Sequence, residues 1–386
     1  MATQASQTAI KSFNVVGKVE DMNDFITNLD PDQTLLTSKF GKTSVFSTEH
    51  AWMCDSLRPA KRNATLETVD FETQKANPRR RESNYVQQFL HGYSTSDTTQ
   101  AIKKYGVRDE QAYQMVKASK EIGRDLEWAL VNNREKVLGG DTVEGIFGGI
   151  PYFLENWKDV TVVQGTGVIT LQNHQFVTGD IIYLRAKTGD LDTKYQPNTA
   201  YFVRNIDKDT FTIHPTGPKA EANEAAVKPG AAVSNLQVSF SNCLDTAKMA
   251  SKGEFTFDAL NDAMQAAWKR GGSIDFAVMS GKNKRKASTF TQGTTKTRDM
   301  TRKDLVEVVD VIETDFGRID LIAHRMYEDD VVDLFEQQYW KMGYLIPFHK
   351  ESVPRKGTYK EEVITGIATL ECTAPIANAR LYNISK

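Results

Sequence analysis

The residues nearest to a pair of catalytic carboxylates are Glu328-Asp329-Asp330 and Glu361-Glu362. Acid/base work needs a carboxyl whose pKa is raised by burial or by a like charge, and both groups sit in polar, turn-like sequence that predicts solvated faces. Gly281-Lys282-Asn283 has the Gly-Lys step of a phosphate-binding loop. Phe276 stands where the upstream glycine belongs, however, and Asn283 replaces the Ser or Thr that would hold Mg²⁺, so no nucleotide site is expected. The six histidines, His50, His91, His174, His214, His324 and His349, are scattered with no pair at helical spacing, and the sequence has no Cys-x-x-Cys and no nucleophile elbow. Cys54, Cys243 and Cys372 are far apart and odd in number, which predicts buried thiols in a reducing compartment. These residues point to no catalytic group, no metal and no cofactor.

Basic clusters remain. Lys282, Lys284, Arg285 and Lys286 follow the apolar run 275–279 and read either as the soluble start of a helix or as a contact for an acidic partner or enclosed DNA. Arg79, Arg80 and Arg81, together with Lys61, Arg62 and Trp52, lie on a stretch too polar to build its own core, which makes them candidates for contacts between subunits. His174-x-Phe176-x-x-Gly179-Asp180 has two readings. A β-hairpin turn suffices for it, and a face for carbohydrate or a decoration protein is the alternative.

The elements that must position these residues can be read from period and punctuation. The stretch 42–105 has two strand-like runs, 44–57 and 79–93, flanking a highly polar segment, and is expected to be an arm, either a protruding hairpin or a disordered loop, that a neighbouring subunit covers. From 108 to 138, Ala112, Val116, Ser119, Ile122, Leu126, Leu130 and Val137 recur at three- and four-residue steps, predicting one long helix that starts at Asp109-Glu110 and stops at Gly139-Gly140. Between 157 and 244 the pattern changes to short alternating runs at 167–171, 180–185, 200–205, 210–214 and 232–240, separated by turn chemistry, which predicts a small β-barrel or sandwich. The segment 218–230, rich in Ala, Glu and Lys, reads as a flexible connection within it. Helix resumes with Ala259, Leu260, Ala263, Met264, Ala267 and Trp268 on one face, ended by Gly271-Gly272, and mixed strand and helix follow.

Composition narrows the function classes. The chain has 386 residues, 40% of them hydrophobic and 25% charged, as expected of an ordinary folded protein with two or three cores. Its 48 Lys and Arg against 50 Asp and Glu give a net charge of -2, which argues against sequence-specific nucleic-acid binding but not against enclosing nucleic acid. No apolar run reaches membrane-spanning length, and the first residues lack the apolar centre of a signal peptide, so a protein made in the cytoplasm with no membrane partner is expected.

Three blocks in order carry a family resemblance. They are Thr34-Leu35-Leu36 through Phe40-Gly41-Lys42 to Glu49-His50-Ala51-Trp52 and Asp55-Ser56-Leu57; Leu260 through Ala266-Ala267-Trp268 and Gly271-Gly272 to Val278-Met279-Ser280 and the basic run; and Gly366-Ile367-Ala368-Thr369-Leu370-Glu371 with Pro375. Together they resemble the major head proteins of tailed bacteriophages, in particular the Salinivibrio-phage-like family. The resemblance implies an α+β chain of the Hong Kong 97-type capsid fold with an added all-β insertion. It divides the chain into an N-terminal arm (1–41), an extended loop (42–105), a long helix and first part of a peripheral domain (106–156), the insertion (157–248), a mainly axial domain (249–345) and returning C-terminal strands (346–386). It further implies a virion protein assembled in the bacterial cytoplasm into an icosahedral shell of hexamers and pentamers around double-stranded DNA, with portal, scaffolding and decoration proteins as partners. With a region this short before the arm, scaffolding is expected to be a separate protein or unnecessary, and no lysine–asparagine cross-link can be matched. The alternative is a phage surface or tail module whose β insertion recognises carbohydrate.

Overall fold

The computed structural model describes residues 34–55, 57, 64, 67–68, 79–102, 107, 109–230, 235–290 and 311–385. Lys61 and Arg62, and the arm before Thr34, lie outside the described residues. The chain begins with α1 (Leu35–Lys39), β1 (Gly41–Ser44), β2 (Glu49–Cys54), β3 (Arg80–Tyr85), β4 (Gln87–Ser96), α2 (Asp97–Ala101), α3 (Glu110–Asn132) and α4 (Ile150–Leu154). Next come β5 (Trp157–Val162), β6 (Ile169–Thr170), β7 (Ile181–Ala186), β8 (Tyr201–Asn205), β9 (Thr210–His214), α5 (Gly217–Ala222), β10 (Leu236–Ser239) and β11 (Asn242–Asp245). The last third holds α6 (Phe257–Lys269), β12 (Phe276–Met279), α7 (Gly281–Thr289), β13 (Val311–Thr314), β14 (Gly317–Ala323), β15 (Val332–Phe335), β16 (Trp340–Ser352), β17 (Tyr359–Cys372) and β18 (Ala379–Tyr382).

Helix α3 starts where its cap predicts. The Asp109 carboxylate accepts from the Gln111 and Ala112 amides, and Glu110 faces the positive helix end. Ala118, Ile122, Leu126, Ala129 and Leu130 form the buried face, packed against β4 and the end of β17. The helix is shorter than its period suggests. It stops at Asn132, and Val137 instead bridges Ile146. The reason lies at Gly149, where a Cβ would sit 2.6 Å from the Leu130 carbonyl and 2.7 Å from that of Ala129. The backbone before α4 is pressed against the last turn of α3, and the Gly149 amide is bonded to the Asn133 carbonyl.

A four-stranded sheet in the order β1-β16-β17-β4 covers α3. Its centre is the long antiparallel pair β16–β17, and β4 runs along β17 from Ala368↔Gln87 to Tyr359↔Ser96. Phe89 and Tyr93 on β4 are therefore buried in the subunit's own core with Leu36, Leu130 and Trp340. The expectation that 42–105 projects as one coreless arm is corrected here. Cross-strand pairing along β17 supplies the partner that composition alone did not reveal. A six-stranded sheet in the order β11-β18-β15-β12-β14-β13 carries α6 and a second core around Leu260, Met264, Phe255 and Leu334.

Between these sheets the chain makes a closed barrel, β10-β5-β6-β9-β8-β7, with β10 also pairing β7. Ile169, Ile182, Val203, Phe211, Ile213 and Val238 fill it. Its strands coincide with the predicted alternating runs, with β5 added at the start. The barrel ends at β10, since β11 pairs with β18 in the six-stranded sheet. Segment 218–230 is not a loose connection. It includes most of α5, whose Ala220 is buried, and Arg204 donates to the Ala220 and Glu221 carbonyls at 3.1 and 2.7 Å.

Candidate assembly surface

The β2–β3 hairpin pairs from Glu49↔Tyr85 at its base to Cys54↔Arg80 at its outer end. Two strands alone are marginal in water, so what they touch decides their position. At the base, the Asn84 amide donates to the Gly148 and Leu370 carbonyls at 2.9 and 2.7 Å while its oxygen accepts from the Gly148 amide. Along β2, His50 Nε2 lies 2.8 Å from the Glu371 carboxylate, the Trp52 ring packs at 6.0 Å from Phe153, and Cys54 Sγ reaches the Thr373 carbonyl at 3.1 Å. Trp52 is thus half-buried within its own subunit.

On the other strand the three arginines separate. Arg79 lies 3.8 Å from Asp55 and Arg81 3.2 Å from Glu49, both at exposed positions where such pairs contribute only about 0–1 kcal/mol. Arg80 turns inward, with its guanidinium 4.0 Å from the centre of the Phe240 ring and 3.6 Å from Asp180. Burial pushes the Asp180 carboxyl up, and Arg80 and the Val177 amide pull it back. On the far side Arg270, at the end of α6, donates to the Phe240 and Ile181 carbonyls and lies 5.6 Å from the same ring. Burial lowers the Arg270 guanidinium to about 10, against the opposing pull of Tyr183 and Asp180. Arg270 was missed by the sequence reading. An arginine before Gly-Gly at a helix end looks like any solvated stop.

Exposed apolar groups flank this hairpin. Phe46 and Leu57 are 93% and 98% exposed, and Met53 faces outward between them in sequence. Trp128 on α3 and Trp268 on α6 are other large exposed side chains among the described residues. A chain acting alone would gain by burying such groups.

The basic cluster occupies the first turns of α7, capped by the Ser280 hydroxyl. Asn283 is buried and donates to the Asp329 carbonyl, which explains why no Ser or Thr is needed there. Lys284 Nζ reaches the Leu321 carbonyl at 2.7 Å, while Lys282 and Arg285 are exposed. No acidic residue stands in the first turn, so Lys282 and Lys284 oppose the positive end of the helix, whereas Lys286 lies in the last turn, where a cation is favoured.

Two expectations about polar residues are settled by the fold. Glu362 is buried on β17, not solvated. Tyr93 donates to it at 2.6 Å, and Lys360 and Lys350 lie 2.8 and 3.4 Å away. His174 is buried in the barrel, stacked on Phe176 and holding the Phe176 amide at 2.9 Å, so the motif is a core turn. Among the described residues no group of three or more His, Cys, Asp or Glu is arranged to hold a metal ion.

The chain as a whole is similar in fold to solved capsid chains. A chain of the cyanophage A-1(L) capsid superposes with a TM-score of 0.58 at 9% identity, covering 97% of this chain and 99% of that one. The capsid of a native GTA particle gives 0.52 at 9% identity over 99% of both chains. The model of the SU10 major capsid protein family matches residues 3–385. The chain belongs to the SU10 major capsid protein family. The fold is the Hong Kong 97-type capsid fold. A curated relative, the major capsid protein of Escherichia phage Phieco32, is 32% identical over 133 residues, which span 34% of this chain and 38% of that protein.

Proposed function

We propose that this chain is the major capsid protein of a tailed bacteriophage, self-assembling in the host cytoplasm into the icosahedral head shell of the virion. The observation that carries this reading is the family match across nearly the whole chain, on a fold shared with phage capsids. The role is structural rather than catalytic. Hexamers and pentamers would form as the chain between Asp55 and Arg79, including Lys61 and Arg62, reaches a neighbouring subunit, with Arg79, Arg81 and Met53 at its foot. Portal, scaffolding and decoration proteins are further partners of such a shell. Deleting residues 62–77 is expected to leave a soluble subunit that forms no closed particles. Normal-sized shells from that variant in the electron microscope would overturn this account of assembly.

The shell is proposed to enclose double-stranded DNA, touched without sequence preference by Lys282, Lys284, Arg285 and Lys286. Support comes from Lys282, exposed in the first turn at the positive end of the helix, a placement that costs stability unless an anion lies nearby. Changing Lys282 and Arg285 to Glu should lower the DNA content of filled particles while leaving empty shells intact. Equal DNA content would remove the cluster from this role. The carbohydrate-binding alternative loses its residues, because His174 and Phe176 face the barrel interior.

A further inference from the structure

We infer that the inserted barrel is a brace that holds the outer end of the β2–β3 hairpin in place through Arg80. A domain meant only for display needs few contacts beyond its two connecting strands. This one is held to the body by Arg270 at the Ile181 carbonyl and by Lys248 at Asp190, and it also touches the hairpin.

The geometry is specific. Asp180 precedes β7 and Phe240 follows β10, so both belong to the barrel end nearest the body. Arg80 reaches both of them from the last paired position of β3, and its side chain is only 15% exposed although its neighbours Arg79 and Arg81 are 71% and 61% exposed. Phe240 is in turn held from the end of α6, where Arg270 bonds its carbonyl and lies 5.2 Å from the Tyr183 ring. One ring therefore lies beside a cation of the hairpin and a cation at the end of α6, with the Asp180 carboxylate near both. Each cation would repel the other without Asp180 nearby. On the same face, since Cys54 stands directly opposite Arg80, His50, Trp52 and Cys54 hold the neighbouring strand to the end of β17 and to α4. Both strands are therefore held, β2 by the body and the outer end of β3 by the barrel. This assignment concerns the single subunit and stands apart from the shell reading.

Amide hydrogen exchange on the full chain, held dissociated at low concentration, tests it. Asp180→Asn keeps an oxygen for the Val177 amide and alters nothing in the hairpin's own sequence. It should speed exchange over residues 49–55 and 79–85 by about tenfold while β8 and β9 exchange at the native rate. Arg80→Gln should do the same, the double variant should add nothing further, and Arg80→Lys should fall between. Hairpin exchange within about twofold of native in a folded Asp180→Asn variant overturns the brace, even if Arg80→Gln loosens its own strand. Should Asp180→Asn unfold the barrel, Arg80→Gln decides, and an unchanged hairpin there overturns the proposal equally.

Discussion

Single residues show where the physics of this subunit departs from its composition. Glu362 looks like one of two adjacent surface carboxylates, yet the register of β17 sets it opposite Tyr93 and within reach of two lysines. Burial alone would raise its pKa, but Lys360 and Tyr93 outweigh that and hold it at about 2 against an ordinary 4.5. A depressed carboxyl stabilises the fold fully above its unfolded pKa and loses that contribution as pH falls through the folded one. Denaturation midpoints should therefore decline between about pH 4.5 and 2 in the native chain, and Glu362→Gln should flatten that slope. An identical pH dependence in the variant would show that other carboxylates govern it. A second buried carboxylate, Glu127 on α3, accepts from the Leu36 and Thr37 amides and the Thr37 hydroxyl and lies 3.0 Å from His324 Nε2. Burial raises its pKa, but these partners prevail and keep it below the usual carboxylate range. Arg380 likewise lies buried between Asp333 and Glu155, which raise its pKa against the effect of burial. None of these groups was legible in the sequence, because each depends on a partner far along the chain.

Elements were more readable than residues, and unevenly so. The cap at Asp109, the alternating runs of the barrel and the face of α6 from Ala259 to Ala267 all carry local signals, and local signals survive folding when tertiary contacts agree with them. The end of α3 was misjudged because Val137 and Leu138 continue its period, while the group that stops it, Gly149, is far along the sequence. Gly149→Ala would push a methyl group into the carbonyls that close α3 and is expected to destabilise the chain by about 1–3 kcal/mol, read as a lower denaturant midpoint at unchanged slope. A midpoint equal to the native one would mean that the α3–α4 junction gives way easily. Segment 218–230 failed for the reverse reason. Its composition is that of a solvated linker, yet Arg204 and the buried Ala220 draw it onto the barrel wall.

For the whole molecule, three apolar clusters correspond to three bodies, as the length allowed, but the chain threads them out of order. β1 and β4 join a sheet whose other strands come more than two hundred residues later, and β11 pairs with β18. Periodicity has no access to such pairings, which is why the projecting stretch was overestimated. What the sequence resemblance did carry was the family of the chain and its fold. The barrel itself opens and closes on one ladder, with Trp157 opposite Ser239. Its two cut ends therefore lie about 5 Å apart, one strand spacing. Joining residue 156 to residue 241 through a short glycine linker should leave both body sheets folded, by circular dichroism and by cooperative melting, at a lower midpoint because Tyr183 leaves the core beneath α6. Loss of cooperative melting would show that the body cannot stand without it. That side-by-side ladder makes the barrel a cassette. Another module with neighbouring ends could take its place in one splice without rethreading the body, and each exchange would change what Arg80 meets at the end of β3.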